Sequence, residues 1–354
     1  MNYQLLGNSG LRVSNACLGT MTFGESIDWG ADRDTAYDIY KQFRDAGGTF
    51  VDTADIYTGG ESETLLGEFI DGHRSEVVLA TKYTDAPLGQ QAPDPNAAGN
   101  HRKHMVEAVH ASLDRLGTDY LDLLYVHAWD FLTPIEEVMR ALDDLVRQGK
   151  VLYVGISDTP AWVISRANAI AELKDWSAFV AMQVEYSLIE RTPERELLPM
   201  SNALNVTPLA WSPLASGILT GKYSGEDVEA GRLDSAPFHA LSDRNLAIAD
   251  AVMHVAEAAG HTPAQVALAW VRRQGVIPLF GATMPRHLES NLKSLDISLE
   301  DDHFDALNNA SAIDLGFPHD FLEGTRAVTY GGYDDVIQGR RRGAPLHWEL
   351  ATRD

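Results

Sequence analysis

Residues 121–156 read LDLLYVHAWDFLTPIEEVMRALDDLVRQGKVLYVGI. Leu121–His127 opens this stretch as an apolar run of strand length, and Val151–Ile156 closes it as another. Between them, Pro134–Gln148 carries Ile135, Val138, Met139, Leu142 and Leu145 at intervals of three or four, which is one buried stripe on a helix. Thr133 before Pro134 reads as a start signal, Glu136 and Glu137 suit the first turn, and Gly149-Lys150 marks the stop. Strands that are apolar on both faces, joined through an amphipathic helix, belong to a parallel sheet covered by helices.

The same rhythm extends in both directions. Further strands are expected at Ala16–Gly19, Thr49–Asp52, Val77–Thr81, Phe179–Val184, Val206–Ala210 and Val276–Phe280. Helices are expected at Asp32–Ala46, Ser62–Asp71, His104–Leu116 and Pro160–Leu173. Before the first unit, Tyr3–Leu6 and Leu11–Val13 flank Gly7-Asn8-Ser9-Gly10 as a hairpin. A length of 354 residues suggests about two domains as a prior, yet it also accommodates one barrel of eight strand–helix units. Eight units fit a closed barrel better than an open sheet, and periodicity does not decide between them. The expectation is one domain over 1–354, with the barrel at about 15–310 and a C-terminal extension at about 311–354. Three segments break the rhythm: Thr84–His101, rich in Pro, Gly, Asn and Ala and read as a lid over the site; Ser224–Leu241; and the tail from Ala312, whose Phe317, Phe321, Tyr330, Tyr333 and Trp348 favour packing onto the body.

Composition narrows the function classes. With 51 acidic and 28 basic residues the formal net charge is −23, a surface that repels nucleic acid and anionic membrane. A small anionic ligand held by local donors is not excluded. The single Cys17 excludes an intramolecular disulfide and an all-cysteine metal site, and within Ala16-Cys17-Leu18 it reads as a small buried hydrophobe. The start, MNYQLLGNSG, lacks a signal-peptide layout, and no stretch approaches about 18 consecutive apolar residues. A soluble, cytoplasmic protein is expected, with a homo-oligomer left open. No Gly-x-Gly pair occurs, so the dinucleotide fingerprint of the doubly wound fold is absent, as are Walker-type loops, Gly-x-Ser-x-Gly and His-Glu-x-x-His. Arg102 and Lys103 separate His101 from His104 and disfavour a cation there, and no metal site is expected.

The strand ends carry the chemistry. In a barrel the C-terminal strand ends converge on one face. Asp52 ends the second strand, Tyr57 follows it in Asp52-Thr53-Ala54-Asp55-Ile56-Tyr57, Lys82 ends the third and His127 the fourth. A phenol is a poor acid at neutral pH. A neighbouring Lys⁺ lowers its pKa, and a carboxylate keeps that Lys charged. Tyr57 is then a general acid for a carbonyl oxygen that gains charge as hydride arrives, with His127 as a second donor. Taken singly, Asp52 and Lys82 read equally as a salt bridge at the mouth.

At these residues the chain resembles the aldo-keto reductase superfamily, from about Tyr3 to Ala310. The resemblance implies a (β/α)8 TIM barrel with an N-terminal hairpin, long βα loops and a C-terminal extension. It also implies a catalytic set of Tyr57, Lys82, Asp52 and His127. Gly19-Thr20-Met21 with Phe23-Gly24 resembles the loop beside the nicotinamide, and the resemblance counts Asp52 among the cofactor-binding residues as well. Gly155-Ile156-Ser157-Asp158 resembles the family's Gly-x-Ser-Asn, which with Gln183 holds the carboxamide; here Asp158 replaces the Asn. The run Trp211-Ser212-Pro213-Leu214-Ala215-Ser216-Gly217, continuing to Lys222, is similar to the branch that includes the potassium-channel β subunits. It implies that Trp211 stacks on the nicotinamide, with Ser212, Leu214, Gly217 and Lys222 along the pyrophosphate, and Arg232 matches a further cofactor-contacting Arg. Trp211 also reads as a core aromatic. Gly281-Ala282-Thr283-Met284-Pro285-Arg286-His287 through Asn291 resembles the adenosine-end motif, with Gly281, Thr283, His287 and Asn291 as contacts at a helix N-terminus.

The resemblance thus implies an NAD(P)H-dependent oxidoreductase acting reversibly on a small-molecule carbonyl or alcohol. NADP is favoured through Arg286 and Arg232, and NAD stays open. Trp29, Tyr83, Trp129 and Phe131 are expected near the mouth as an aromatic substrate pocket or as rim packing. The alternative is a cofactor-sensing regulatory subunit like the channel β subunits. Those carry Asn at the position of His127, which favours catalysis here.

Overall fold

A computed structural model describes residues 1–86, 92, 94–223 and 239–333. Arg232, Trp348 and most of the Ser224–Leu241 segment lie outside the described residues, as does part of Thr84–His101, the expected lid. Strands β1 (Tyr3–Leu5) and β2 (Arg12–Ser14) form the antiparallel hairpin. Eight parallel strands follow: β3 (Cys17–Gly19), β4 (Phe50–Asp52), β5 (Val78–Tyr83), β6 (Leu121–Val126), β7 (Val151–Ser157), β8 (Phe179–Glu185), β9 (Thr207–Trp211) and β10 (Ile277–Phe280). They pair in chain order and β10 closes onto β3, so the sheet is a barrel. Helices Arg33–Asp45, Glu61–Ile70, Arg102–Leu116, Ile135–Arg147 and Ala161–Lys174 lie within two residues of their expected bounds. Among the described residues no helix is long and apolar enough to cross a membrane.

Thr133 does not cap the helix it precedes. Pro134 stands at that position without a side-chain cap, and the Thr133 N–H and hydroxyl both donate to Asp130 (2.9 and 2.7 Å).

The pleat sorts side chains into two cores, because neighbours along a strand point to opposite faces. Leu18, Val51, Leu79, Leu124 and Val126 face outward under the helices. Cys17, Phe50, Val78, Ala80, Leu123, Tyr125, Ala181, Leu209, Ile277 and Leu279 fill the interior, where Leu6 and Val13 from the hairpin plug one end. Tyr125 has room because β7 carries glycine opposite it: a Cβ on Gly155 would lie 2.5 Å from the Tyr125 ring.

The tail departs from expectation. Phe317 is 85% exposed, Phe321 60% and Tyr333 66%. The aromatics sit on the short helices His319–Gly324 and Arg326–Thr329 or beside them, too short to present a continuous apolar face. Phe317 and Phe321 pair with each other (ring centroids 6.3 Å), and polar contacts tether the segment instead, with Arg195 donating to the Asp314 carbonyl (2.7 Å).

Behind the mouth, Glu63 of helix Glu61–Ile70 is fully buried; it accepts from Thr81 of β5 (2.6 Å) and from Arg115 of helix Arg102–Leu116 (2.7 Å). Asp55 lies beside this cluster with Oδ1 unpartnered. Burial, reinforced by the Glu63 charge, pushes its carboxyl up to about 8.

Two stability outcomes follow from this packing. Gly155→Ala should cost about 1–3 kcal/mol in chemical denaturation, because the rigid Tyr125 ring has nowhere to move. The folded state retains a proton on Asp55 that the unfolded chain releases above about pH 4. Asp55 therefore supports folding below that pH, and its contribution is lost as pH rises to about 8. Asp55→Asn lacks this loss, so its stability relative to wild type should rise by about 1 kcal/mol or more from pH 5 to pH 8; a constant difference across that range refutes the assignment.

Candidate active site

The interior parity of the strands delivers the polar set. Asp52 follows inward Phe50 by two residues, Lys82 follows Ala80, His127 follows Tyr125, Gln183 follows Ala181 and Trp211 follows Leu209. All five therefore point into the barrel at its C-terminal end. Tyr57 arrives from the loop after β4, where Thr58, Gly59 and Gly60 take positive φ (48°, 68° and 93°). The left-handed turn at Thr58 holds because its hydroxyl donates to the Phe23 carbonyl (2.7 Å) and accepts from the Ser62 N–H (3.0 Å).

Lys82 is wholly buried, and its ammonium donates to Asp52 Oδ2 (2.5 Å), the Thr53 carbonyl (2.8 Å) and Tyr57 Oη (2.9 Å). Asp52 Oδ1 accepts from Gln183 Nε2 across the barrel (2.9 Å). Burial works to lower the Lys82 pKa, but the Asp52 carboxylate and the Tyr57 oxygen outweigh it and hold it above its ordinary value. For Tyr57 the balance differs from the sequence expectation: burial raises the phenol by more than Lys82 lowers it, so the net shift is upward. The His127 ring stands edge-on to Tyr57 (centroids 6.0 Å apart, 79°). Burial and the Lys82 charge drive its pKa down to about 3, so the imidazole is neutral. Asp85 Oδ2 lies 3.2 Å from its Nδ1, off the line of a hydrogen bond, and Nδ1 has no partner.

A cavity of about 1240 Å³ runs from this set across the barrel mouth. Asp52, Tyr57 and His127 line it, while Lys82 lies behind Tyr57. Gly19, Met21, Ser157, Asp158, Gln183, Trp211, Ser212, Leu214, Gly217 and Lys222 also line it. At its far end are Gly281, Thr283, Arg286, His287 and Asn291, around the start of helix Pro285–Lys293. Ser212, Ala215, Ser216 and Gly217 all have positive φ, which curls this segment along the wall. The Lys222 side chain crosses the bare Cα of Gly217, where a Cβ would meet Lys222 Cε at 2.7 Å. Asp158, also at positive φ (38°), accepts from the Trp211 indole N–H (3.0 Å) and from the Ser157 hydroxyl (3.2 Å). Its side chain is exposed on the cavity wall, and the protein packed around it raises its carboxyl to about 6.

Thr20 does not reach the cavity. It is buried, and its hydroxyl bonds the Asp52 carbonyl (3.1 Å) and Ser62 Oγ (2.8 Å). Of the expected aromatic pocket, Trp29 lines the cavity. Tyr83 does not: Lys82 faces inward, so its neighbour must face outward, and Tyr83 is buried against His104. Trp129 packs partly buried on the outer core, and Phe131 is 67% exposed. Sequence reading missed Asp85 and the wall formed by Thr262 and Pro263. An acid just past Lys82 and the Thr-Pro start of a helix were visible signals. Their convergence on one cavity was not.

The pattern of the aldo/keto reductase family matches residues 15–312. The chain is 36% identical over 335 residues to the norsolorinic acid reductase of Aspergillus flavus, covering 92% of this chain and 85% of that protein. It is 36% identical over an alignment of 365 residues to an aryl-alcohol dehydrogenase of Pestalotiopsis microspora (98% and 94%). It is 33% identical over 340 residues to a putative aryl-alcohol dehydrogenase of Saccharomyces cerevisiae (91% and 89%). With the barrel, the converging strand ends and this agreement along nearly the whole chain, the protein belongs to the aldo/keto reductase family and is an enzyme of it.

Proposed function

We propose that the enzyme transfers hydride between a nicotinamide dinucleotide and an aldehyde or ketone, reversibly with the corresponding alcohol, and that its substrates are aryl carbonyls. The observation that carries this reading is the Lys82 ammonium bonded at once to Asp52 and Tyr57 on the wall of a large cavity. When bound, the nicotinamide supplies the hydride. Tyr57 supplies the proton to the carbonyl oxygen: burial keeps the phenol protonated near neutral pH, and the Lys82 N–H on Oη stabilises the phenolate as the proton leaves. Asp52 keeps Lys82 charged and aimed. The neutral His127 offers an imidazole N–H to orient the oxygen without adding a second charge.

The cavity suits a dinucleotide in size and in donor chemistry. Its volume exceeds the roughly 300–1,000 Å³ typical of small-ligand sites. Trp211 offers a stacking face, Ser157, Asp158 and Gln183 a carboxamide site, and Ser212, Leu214, Gly217 and Lys222 a phosphate wall. The N-terminus of helix Pro285–Lys293, with Thr283, Arg286 and His287, suits a phosphate at the adenosine end. The cation Arg286, at the adenosine end, favours NADP over NAD. Aryl substrates are supported by the relatives' names and by Trp29, Met21 and Ile56 on the cavity wall.

Purified protein with NADPH or NADH and an activated aryl aldehyde such as 4-nitrobenzaldehyde tests the reading. Turnover is expected with both substrates present, with NADPH the better donor. Tyr57→Phe should bind cofactor as wild type does yet lose about 10²–10⁴ in kcat, the usual worth of a positioned acid. Tight cofactor binding without turnover on a broad carbonyl panel would sink the reading in favour of a cofactor sensor. Arg286→Ala should weaken NADPH by about tenfold and leave NADH nearly unchanged, for loss of one charged contact to a phosphate. Equal weakening of both cofactors would remove Arg286 from the choice between them.

A further inference from the structure

We propose that Asp158 makes this site hold the oxidised nicotinamide more tightly than the reduced form, biasing the bound reaction toward carbonyl reduction. The inference rests on the hydride-transfer reading above and concerns its direction. The oxidised ring carries a full positive charge and the reduced ring none, while the rest of the dinucleotide is the same in both. Only groups that act on the ring can therefore separate the two forms.

Asp158 is built to act there. It lines the cavity at the end of β7, and its carboxylate is fixed on both oxygens by Trp211 Nε1 (3.0 Å) and Ser157 Oγ (3.2 Å). Both donors are neutral, so they orient the charge without cancelling it. Trp211, which would carry the ring, is itself the residue that aims the carboxylate. The Lys82 ammonium also acts on Asp158, but its hydrogen bonds go to Asp52, Thr53 and Tyr57.

The surroundings reinforce the sign. Glu185 adds negative potential at Asp158, and Asp85 lines the cavity beside His127. Among the described residues that line the cavity, Lys222 is placed against Gly217 and Arg286 at helix Pro285–Lys293, on the stretch assigned to the phosphates. The carboxyl of Asp158, raised to about 6 by the protein packed around it, is ionised at pH 8. A fixed anion in a partly desolvated wall then favours the cationic ring by roughly tenfold, after screening.

Dissociation constants of NADP⁺ and NADPH, measured at pH 8 by calorimetry on the full chain without substrate, test this. Wild type should favour NADP⁺ more than Asp158→Asn does, the ratio of the two constants shifting about tenfold, with Asp158→Glu staying near wild type. Asn keeps the shape and an acceptor for the Trp211 N–H, and thermal unfolding checks that each variant is folded. A ratio unchanged within twofold in Asp158→Asn, or equal weakening of both forms, overturns the inference while leaving the hydride-transfer reading standing. Failure of wild type to bind either form overturns both.

Discussion

Burying one ammonium organises this molecule. An isolated charge in a protein interior costs several kcal/mol, and geometry must offset that cost. Lys82 meets the demand with three acceptors drawn from β4, the loop after it and Tyr57. Asp52 in turn reaches Gln183 on β8, on another part of the closed wall. The ion pair joins the neighbouring strands β4 and β5, and the Gln183 hydrogen bond extends it into a tie across the barrel that exists only once the sheet has closed. Tyr57 is held at the mouth by the same ammonium and by the left-handed turn that Thr58 secures. Fold and chemistry share one set of contacts.

Much of this was legible in the sequence because a strand has only two faces. The periodic runs located the strands, the meeting of their C-terminal ends placed Asp52, Lys82 and His127 at one mouth, and the pleat of the folded strands puts all three on the inner side. The rule also exposes a misreading: Tyr83 cannot stand at the mouth beside Lys82 when the two are adjacent on one strand. Thr20 was misplaced for a similar reason, since a short loop turns it back onto Ser62. What the sequence did not disclose are the effects that depend on three-dimensional crowding. The upward shift of Tyr57 comes from the protein packed around its ring, which no spacing reveals. The Glu63, Thr81 and Arg115 cluster draws on three elements distant in the chain. The tail aromatics were expected to pack from composition, but short helices gave them no shared face.

The net charge of −23 takes on meaning beside the cavity. An acidic exterior and a cavity stretch bearing Lys222 and Arg286 are compatible because fields in a cleft are local. One anionic molecule of limited size can be held, while an extended polyanion meets repulsion everywhere else. Cys17, sealed inside the barrel, is raised well above the ordinary thiol range by burial and takes no part in this chemistry.

The hairpin has a consequence for traffic. With Leu6 and Val13 packed under an interior that the strands' own side chains already fill, it completes the closed floor of the barrel. Anything that reaches Tyr57 and Trp211 must come and go by the strands' C-terminal end. Two ligands sharing one doorway form a queue: whichever lies deeper has to arrive first and depart last.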